Sequence, residues 1–270
     1  MRLRFDPFQI FRSSKTPAGL YARKQWLNEG NTQGWQADFR ATVDALLTGK
    51  AEDGSWGQSI VTTIQRLFGL HLTIRSQNEH INKALDWLMG KACTALNRTR
   101  ADIKEHFSPK TLQGLPFTPG CSGLLIMGAT LFLASIFGRE NDTRILRSYE
   151  WLSLEGVSKG GRWCGWSCSN NVLRAFVVHP KYSQHEATAL AVEALAHVQS
   201  SSGGWLGQVP FYQTTNALAH LDFTQADSQL ERAFKKLYDS QQRDGTWGRS
   251  QREWNTFLIV HALRNKGVLI

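Results

Sequence analysis

The chain has 270 residues, 41% of them hydrophobic and 20% charged, which is enough apolar material for the core of one large domain and excludes a disordered chain. Its formal charge of +9 is spread along the sequence rather than massed, which argues against nucleic acid and leaves a phosphorylated substrate or an acidic membrane surface as the anionic partner. Four cysteines, Cys93, Cys121, Cys164 and Cys168, do not make a disulfide scaffold for a domain of this size and are expected to be thiols.

The N-terminal "MRLRFDPFQIFRSSK" has basic residues but no continuous apolar core of the signal-peptide kind, so a cytoplasmic protein is expected, with peripheral membrane contact through an apolar face left open. "TPAGLYARKQWLN" and "ADFRATVDALLTGK" then read as a first helical hairpin, and "SIVTTIQRLFGLHLTI" (59–74) with "INKALDWLMGKA" (81–92) as a second. A stretch rich in Arg, Lys and Pro, 94–119, reads as an insertion loop. The most apolar run, "GLLIMGATLFLASIFG" (123–138), falls short of the roughly 18–20 apolar residues of a spanning helix and is expected to be a helix buried on most sides. It pairs with "DTRILRSYEWLSLEG". Two more hairpins follow, "SNNVLRAFVVH" with "SQHEATALAVEALAHVQ" and "FYQTTNALAHLD" with "ADSQLERAFKKLYDSQ", and "REWNTFLIVHALRNKG" ends the series as a first helix without a second.

The hairpins are punctuated by a repeat. Trp163, Trp205 and Trp247 are spaced by 42 residues and each follows glycine, in "GGRW", "GGW" and "DGTW", while Trp56 in "EDGSWG" is an earlier copy. Glycine permits the tight turn between helices, Asp or Ser can cap the next helix, and an indole fills the wedge between neighbouring hairpins. These four tryptophans are therefore read as structural. About six first helices, less polar than the five second helices, favour an inner ring buried on most sides within an outer ring that has a solvated face. The expected fold is all-α: a single α/α toroid over 1–270, with an apolar centre.

"QQRDGTWG" resembles the QW-type repeat of the terpenoid cyclase and protein prenyltransferase superfamily, and "EDGSWG", "GGRW" and "SSGGWLGQ" are similar, degenerate copies. The resemblance covers about residues 50–266. It implies an α/α barrel whose central hydrophobic cavity holds an isoprenoid chain. Class II cyclases of that superfamily protonate their substrate with a D-x-D-D motif, which this sequence lacks. Prenyltransferase β subunits bind zinc through Asp, Cys and His; Cys168 is similar to the cysteine, but Trp166 stands two residues before it and Gln213 stands at the position similar to the histidine. The resemblance thus implies no zinc site of that kind, and Mg only if the substrate is a diphosphate.

Several side chains remain as candidates for chemistry. Cys164 and Cys168 share an i, i+4 spacing, and a metal there would need two further ligands, for which His179, His220 and His261 are the histidines in reach of the argument; Gly165 interrupts that face, and no metal is expected. Trp166, Tyr212 and Trp254 begin first helices, where aromatic faces could line a cavity and stabilise a carbocation. Gln213 joins them as a substrate contact, and Arg174 as a diphosphate donor, with Arg162, Arg249 and Arg252 near the same helix ends. As proton donor Glu253, beside Trp254, is preferred over Asp53, a turn residue, and Asp222. The function expected first is an isoprenoid-binding, terpene cyclase-like protein that cyclises a polyprene or prenyl diphosphate. A non-catalytic toroid that binds or scaffolds, and a polysaccharide lyase or hydrolase on the same architecture, are the alternatives, because fold does not choose among them.

Overall fold

A computed structural model describes residues 3–93 and 107–269; of the expected insertion, 94–106 lies outside them. Eleven α-helices are described: α1 Pro17–Gln25, α2 Gln33–Leu47, α3 Ile60–Thr73, α4 Glu79–Ala92, α5 Ser122–Ile136, α6 Thr143–Ser158, α7 Trp166–Phe176, α8 Glu186–His197, α9 Phe211–Leu218, α10 Thr224–Ser240 and α11 Arg252–Asn265. The odd-numbered helices pack each on the next, and α11 returns to pack on α1. That closes the inner ring of an α/α toroid, with the even-numbered helices outside it. The split into six first and five second helices follows the sequence reading.

Burial explains which helix goes where. α5 is buried without interruption from Leu125 to Ala134, and α7 from Cys168 to Phe176, as helices surrounded by protein must be. α10 buries only Ala226, Gln229, Leu230, Ala233, Phe234 and Leu237, a single stripe at helical spacing. Gly128 lets α5 and α7 approach closely: a Cβ there would lie 2.6 Å from the Asn171 carbonyl oxygen. Among the described residues no helix is long and apolar enough to cross a membrane.

Short polar side chains start the helices, with Thr16, Thr32, Ser59 and Asn78 each accepting a backbone N–H of the first turn. The Gly-Trp junctions then bind each hairpin to the next. Gly54, Gly161 and Gly203 have φ of +96°, +81° and +84° and lie against the backbones of Lys83, Leu190 and Arg232, so a Cβ at any of them would overlap the next outer helix. The indole N–H of Trp163 and of Trp247 donates to the outer helix just ended, at Leu152 O and Leu237 O (2.7 and 2.8 Å). Trp205 donates instead to Gln229 Oε1 (3.1 Å).

The last junction has no following outer helix, and the N-terminal segment takes that place. Gln241 Oε1 accepts from Arg4 N and Phe5 N (both 3.1 Å), while its Nε2 donates to Phe5 O and Gly245 O. Gly245 meets the Asp6 carbonyl as the earlier glycines meet an outer helix. The chain start thus completes the outer layer beside α11, which the sequence left without a partner.

The described part of the insertion, 107–119, passes along the N-terminal ends of the inner helices. Trp254 Nε1 donates to Leu115 O (2.9 Å), and Asn171 pairs with the backbone of Thr118 through both its amide groups (2.8 Å each). Phe107, Leu112, Leu115 and Phe117 are buried there.

Candidate functional site: two cavities within the ring

Two cavities lie inside the ring and share the walls Phe68, Leu72 and Trp254. The first, about 450 Å³, opens at the N-terminal ends of the inner helices between Thr16–Ala18, Gln65–Gly69, Gln113–Leu115 and Gln251–Trp254. The second, about 200 Å³, is the centre of the toroid, and every inner helix contributes to it: Tyr21 from α1, His71 and Leu72 from α3, Phe132 from α5, Arg174 from α7, Asn216 from α9, and Phe257 and His261 from α11. Aromatic rings wall it. Phe257 stacks on Trp254 with centroids 5.2 Å apart, and Phe68 meets Trp254 edge-on at 5.8 Å.

The central chamber is apolar in its walls but basic in its polar groups. His71, His220 and His261 line it together with Arg174, and Arg75 sits at its edge with its guanidinium 5.2 Å from the Tyr21 ring. No carboxylate is among the described lining residues. Arg174 is buried and donates to Asn216 Oδ1, an oxygen fixed because the other end of that amide donates to Leu258 O. Its Nε, together with His71 Nδ1, His220 Nε2 and His261 Nδ1, has no hydrogen-bond partner among the described residues. His220 and His261 stack on each other at 5.3 Å.

The histidines retain accessible surface because they face the chamber, yet protein encloses them, and that enclosure governs their protonation. Burial, helped by the positive Arg75 and Arg174, pushes His71 down to about 3, and burial with the same two arginines pushes His261 down to about 4. Burial and Arg174 drive His220 well below its usual value. Burial alone lowers Arg174 to about 9, so at neutral pH it remains a cation without a counter-ion. An uncompensated buried charge is costly. An anion entering the chamber would offset that cost and give the unpartnered donors acceptors.

The residues expected from sequence fall in different places. Arg174 and Trp254 reach the chamber, Arg174 from the last turn of α7 rather than from a helix start. Glu253 lines the N-terminal cavity, where its Oε1 accepts from Ser14 Oγ (2.8 Å) and from Thr16 Oγ1. Trp166, Tyr212 and Gln213 begin α7 and α9 but line neither cavity; Trp166 borders a void of about 10 Å³ and lies 4.4 Å from the Arg162 guanidinium carbon. Arg252 pairs with Asp244 and Thr246. Asp53 binds Ser55 and Gln58 within its turn, and Asp222 is an exposed partner of Lys266.

His71 and Asn216 are chamber residues that sequence reasoning missed, and His220 and His261 entered it only as candidate metal ligands. A signal was present: Phe132, Arg174, Asn216 and Leu258 stand 42 residues apart, as do Ile136, Val178 and His220. Stepping the tryptophan period from Arg174 would have found its neighbours in the ring. Of the histidines considered as metal ligands, His179 instead accepts the backbone N–H groups of Lys181 and Tyr182 and packs on Tyr149.

No family model and no curated protein matches the chain. Among solved structures it is similar to a protein from Actinoplanes, with a TM-score of 0.57 and 16% identity over 94% of this chain and 89% of that one. At that identity the likeness concerns the fold alone.

Proposed function

We propose that the toroid binds an amphiphile with an anionic head, the head among Arg174 and the chamber histidines and the hydrocarbon along Phe68, Trp254 and Phe257. The observation that carries this reading is Arg174, a buried cation with no carboxylate among the described lining residues of a chamber otherwise walled mainly by aromatic and aliphatic side chains. The two adjoining cavities, about 450 and 200 Å³, together have the scale of a small-molecule site. A prenyl diphosphate is the member of this class that the resemblance to terpenoid cyclases implies: its diphosphate offers many acceptors to Arg174, and its polyene suits aromatic faces. The arginine side chain would orient the head, and the closed ring would exclude water from the chain.

Cyclisation is the chemical extension of this reading. A proton-started cascade needs an acid within reach of the reacting bond, and Glu253 is the carboxylic acid on the walls of the two cavities. It stands in the N-terminal cavity rather than in the chamber. That placement favours binding without proton-started chemistry as the second reading.

The test is incubation with farnesyl diphosphate, with geranylgeranyl diphosphate and with squalene, followed by a thermal melt and mass analysis of extracted products. A rise in melting temperature with a diphosphate, larger than with squalene, supports the anionic-head reading. New hydrocarbon or alcohol products, lost in Glu253→Gln, add the cyclase activity. No shift with any of the three would overturn the proposal.

A further inference from the structure

Three cysteines that lie far apart in sequence meet at the N-terminal end of the ring. Cys121 is the N-cap of α5, Cys168 lies in the first turn of α7, and Cys164 is in the turn before it. Their sulfurs all lie within 4.8 Å of one another, with Cys121 Sγ and Cys164 Sγ 3.5 Å apart. Three thiolates bound to one zinc ion at about 2.3 Å stand about 3.8 Å apart in tetrahedral geometry, so the cluster is already near the spacing an ion requires.

We propose that Cys121, Cys164 and Cys168 form a three-thiolate site for zinc, whose fourth position no Cys, His, Asp or Glu among the described residues fills. Burial is graded across the site: Cys168 is buried, Cys121 half-buried and Cys164 exposed. The ion would rest on an inner floor and keep an outer face for water or an exogenous ligand, the arrangement of an open rather than a closed zinc site. Burial favours the protonated Cys168 thiol, and the surroundings supply donors and positive charge that oppose it once an ion binds. The Cys121 N–H donates to Cys168 Sγ (3.1 Å), the kind of hydrogen bond that steadies a metal-bound sulfur. Gly120 leaves room for that sulfur, since a Cβ there would be 2.9 Å from it. The starts of α5 and α7 bring two positive helix ends to the same place. Arg162, which donates to Cys164 O (3.3 Å), brings a full positive charge beside a centre that is net negative once three thiolates bind one divalent ion.

Each thiol that binds gives its proton to solvent, and no electron is transferred. Bound zinc would pin the end of the 107–120 crossing to the starts of α5 and α7. The site is separate from the proposed binding of an anionic amphiphile and does not depend on it.

The test uses the full chain, purified under reducing conditions and freed of metal. Titration with Zn2+ is expected to give one ion per chain with proton release, and Co2+ in its place is expected to give thiolate-to-metal charge-transfer absorption. Cys164→Ser, at the exposed position where folding is least at risk, should lower zinc affinity at least tenfold and weaken that absorption. Cys168→Ser should do the same if circular dichroism shows it folded. A reduced, folded protein that binds no zinc, or one whose zinc and cobalt binding is unchanged in Cys164→Ser, would contradict the proposal. So would zinc binding that occurs only after oxidation links Cys121 to Cys164.

Discussion

The last hairpin junction and the central chamber both set aromatic beside polar residues, yet they treat polar groups in opposite ways; the first junction stands between them, its Trp56 indole N–H buried without a partner among the described residues. At the last junction Gln241 has both ends of its amide engaged, with Arg4, Phe5 and Gly245. In the chamber Arg174 Nε and one nitrogen each of His71, His220 and His261 are buried without partners among the described residues. A folded protein saturates buried polar groups where they serve stability alone. The unpartnered groups around the chamber are where the proposed ligand would complete the structure, so the same 42-residue period would carry a clasp on the outside and the proposed site on the inside.

The sharpest way to break this contrast is to damage the saturated side. Gly161→Ala would force a Cβ into the Leu190 backbone at φ +81°, and a loss on the order of 3–5 kcal/mol is expected in urea denaturation. A variant as stable as the parent would show that the junction glycines are not structural. Gln241→Ala leaves the Arg4 and Phe5 amides without their acceptor; the expected cost is roughly 1–3 kcal/mol, read as a lower melting temperature with the chamber unaffected.

On the unsaturated side the effects on stability are smaller and depend on pH. His71 and His261 are held near 3 and 4, below the ordinary value of 6.5. A histidine depressed in the folded state is protonated more readily in the unfolded chain, so its contribution is fully present above about pH 6.5 and is lost as the pH falls towards the folded values. Arg75, Arg174, His220 and Tyr21 are the titratable groups that face these two across the chamber. Thermal melts between pH 7 and 4 should therefore fall more steeply in the parent than in His71→Leu. Arg174→Met removes an unpaired buried charge at the loss of one hydrogen bond to Asn216, and stability should be unchanged or modestly raised. A large loss in that variant would mean that the guanidinium holds the ring together rather than awaiting an anion.

How much of this was legible follows from the kind of signal each feature leaves. The toroid was, because Trp163, Trp205 and Trp247 repeat at 42 residues and "GLLIMGATLFLASIFG" differs so plainly from the striped α10. The N-terminal completion of the outer layer was not, since it is made by backbone groups of Arg4 and Phe5 on one glutamine and leaves no periodic trace. Within the site, Arg174 and Trp254 could be read as candidates and Asn216 lay one 42-residue step beyond Arg174, but His71 looks like an ordinary member of an apolar helix until the ring brings it to the others. The thiol cluster shows the same limit: Cys164 and Cys168 are four apart, whereas Cys121 joins them only because α5 packs on α7.

The central claim is that Arg174 awaits an anionic head, and calorimetric titration of farnesyl diphosphate into the parent and into Arg174→Gln tests it most directly. Loss of a charged hydrogen bond of roughly 1.5–3 kcal/mol corresponds to an affinity at least tenfold weaker in the variant. In buffers of differing ionisation enthalpy the parent should also take up protons on binding, as the depressed histidines gain an anion to face. Equal affinity in the two proteins, with no proton uptake, would contradict the account.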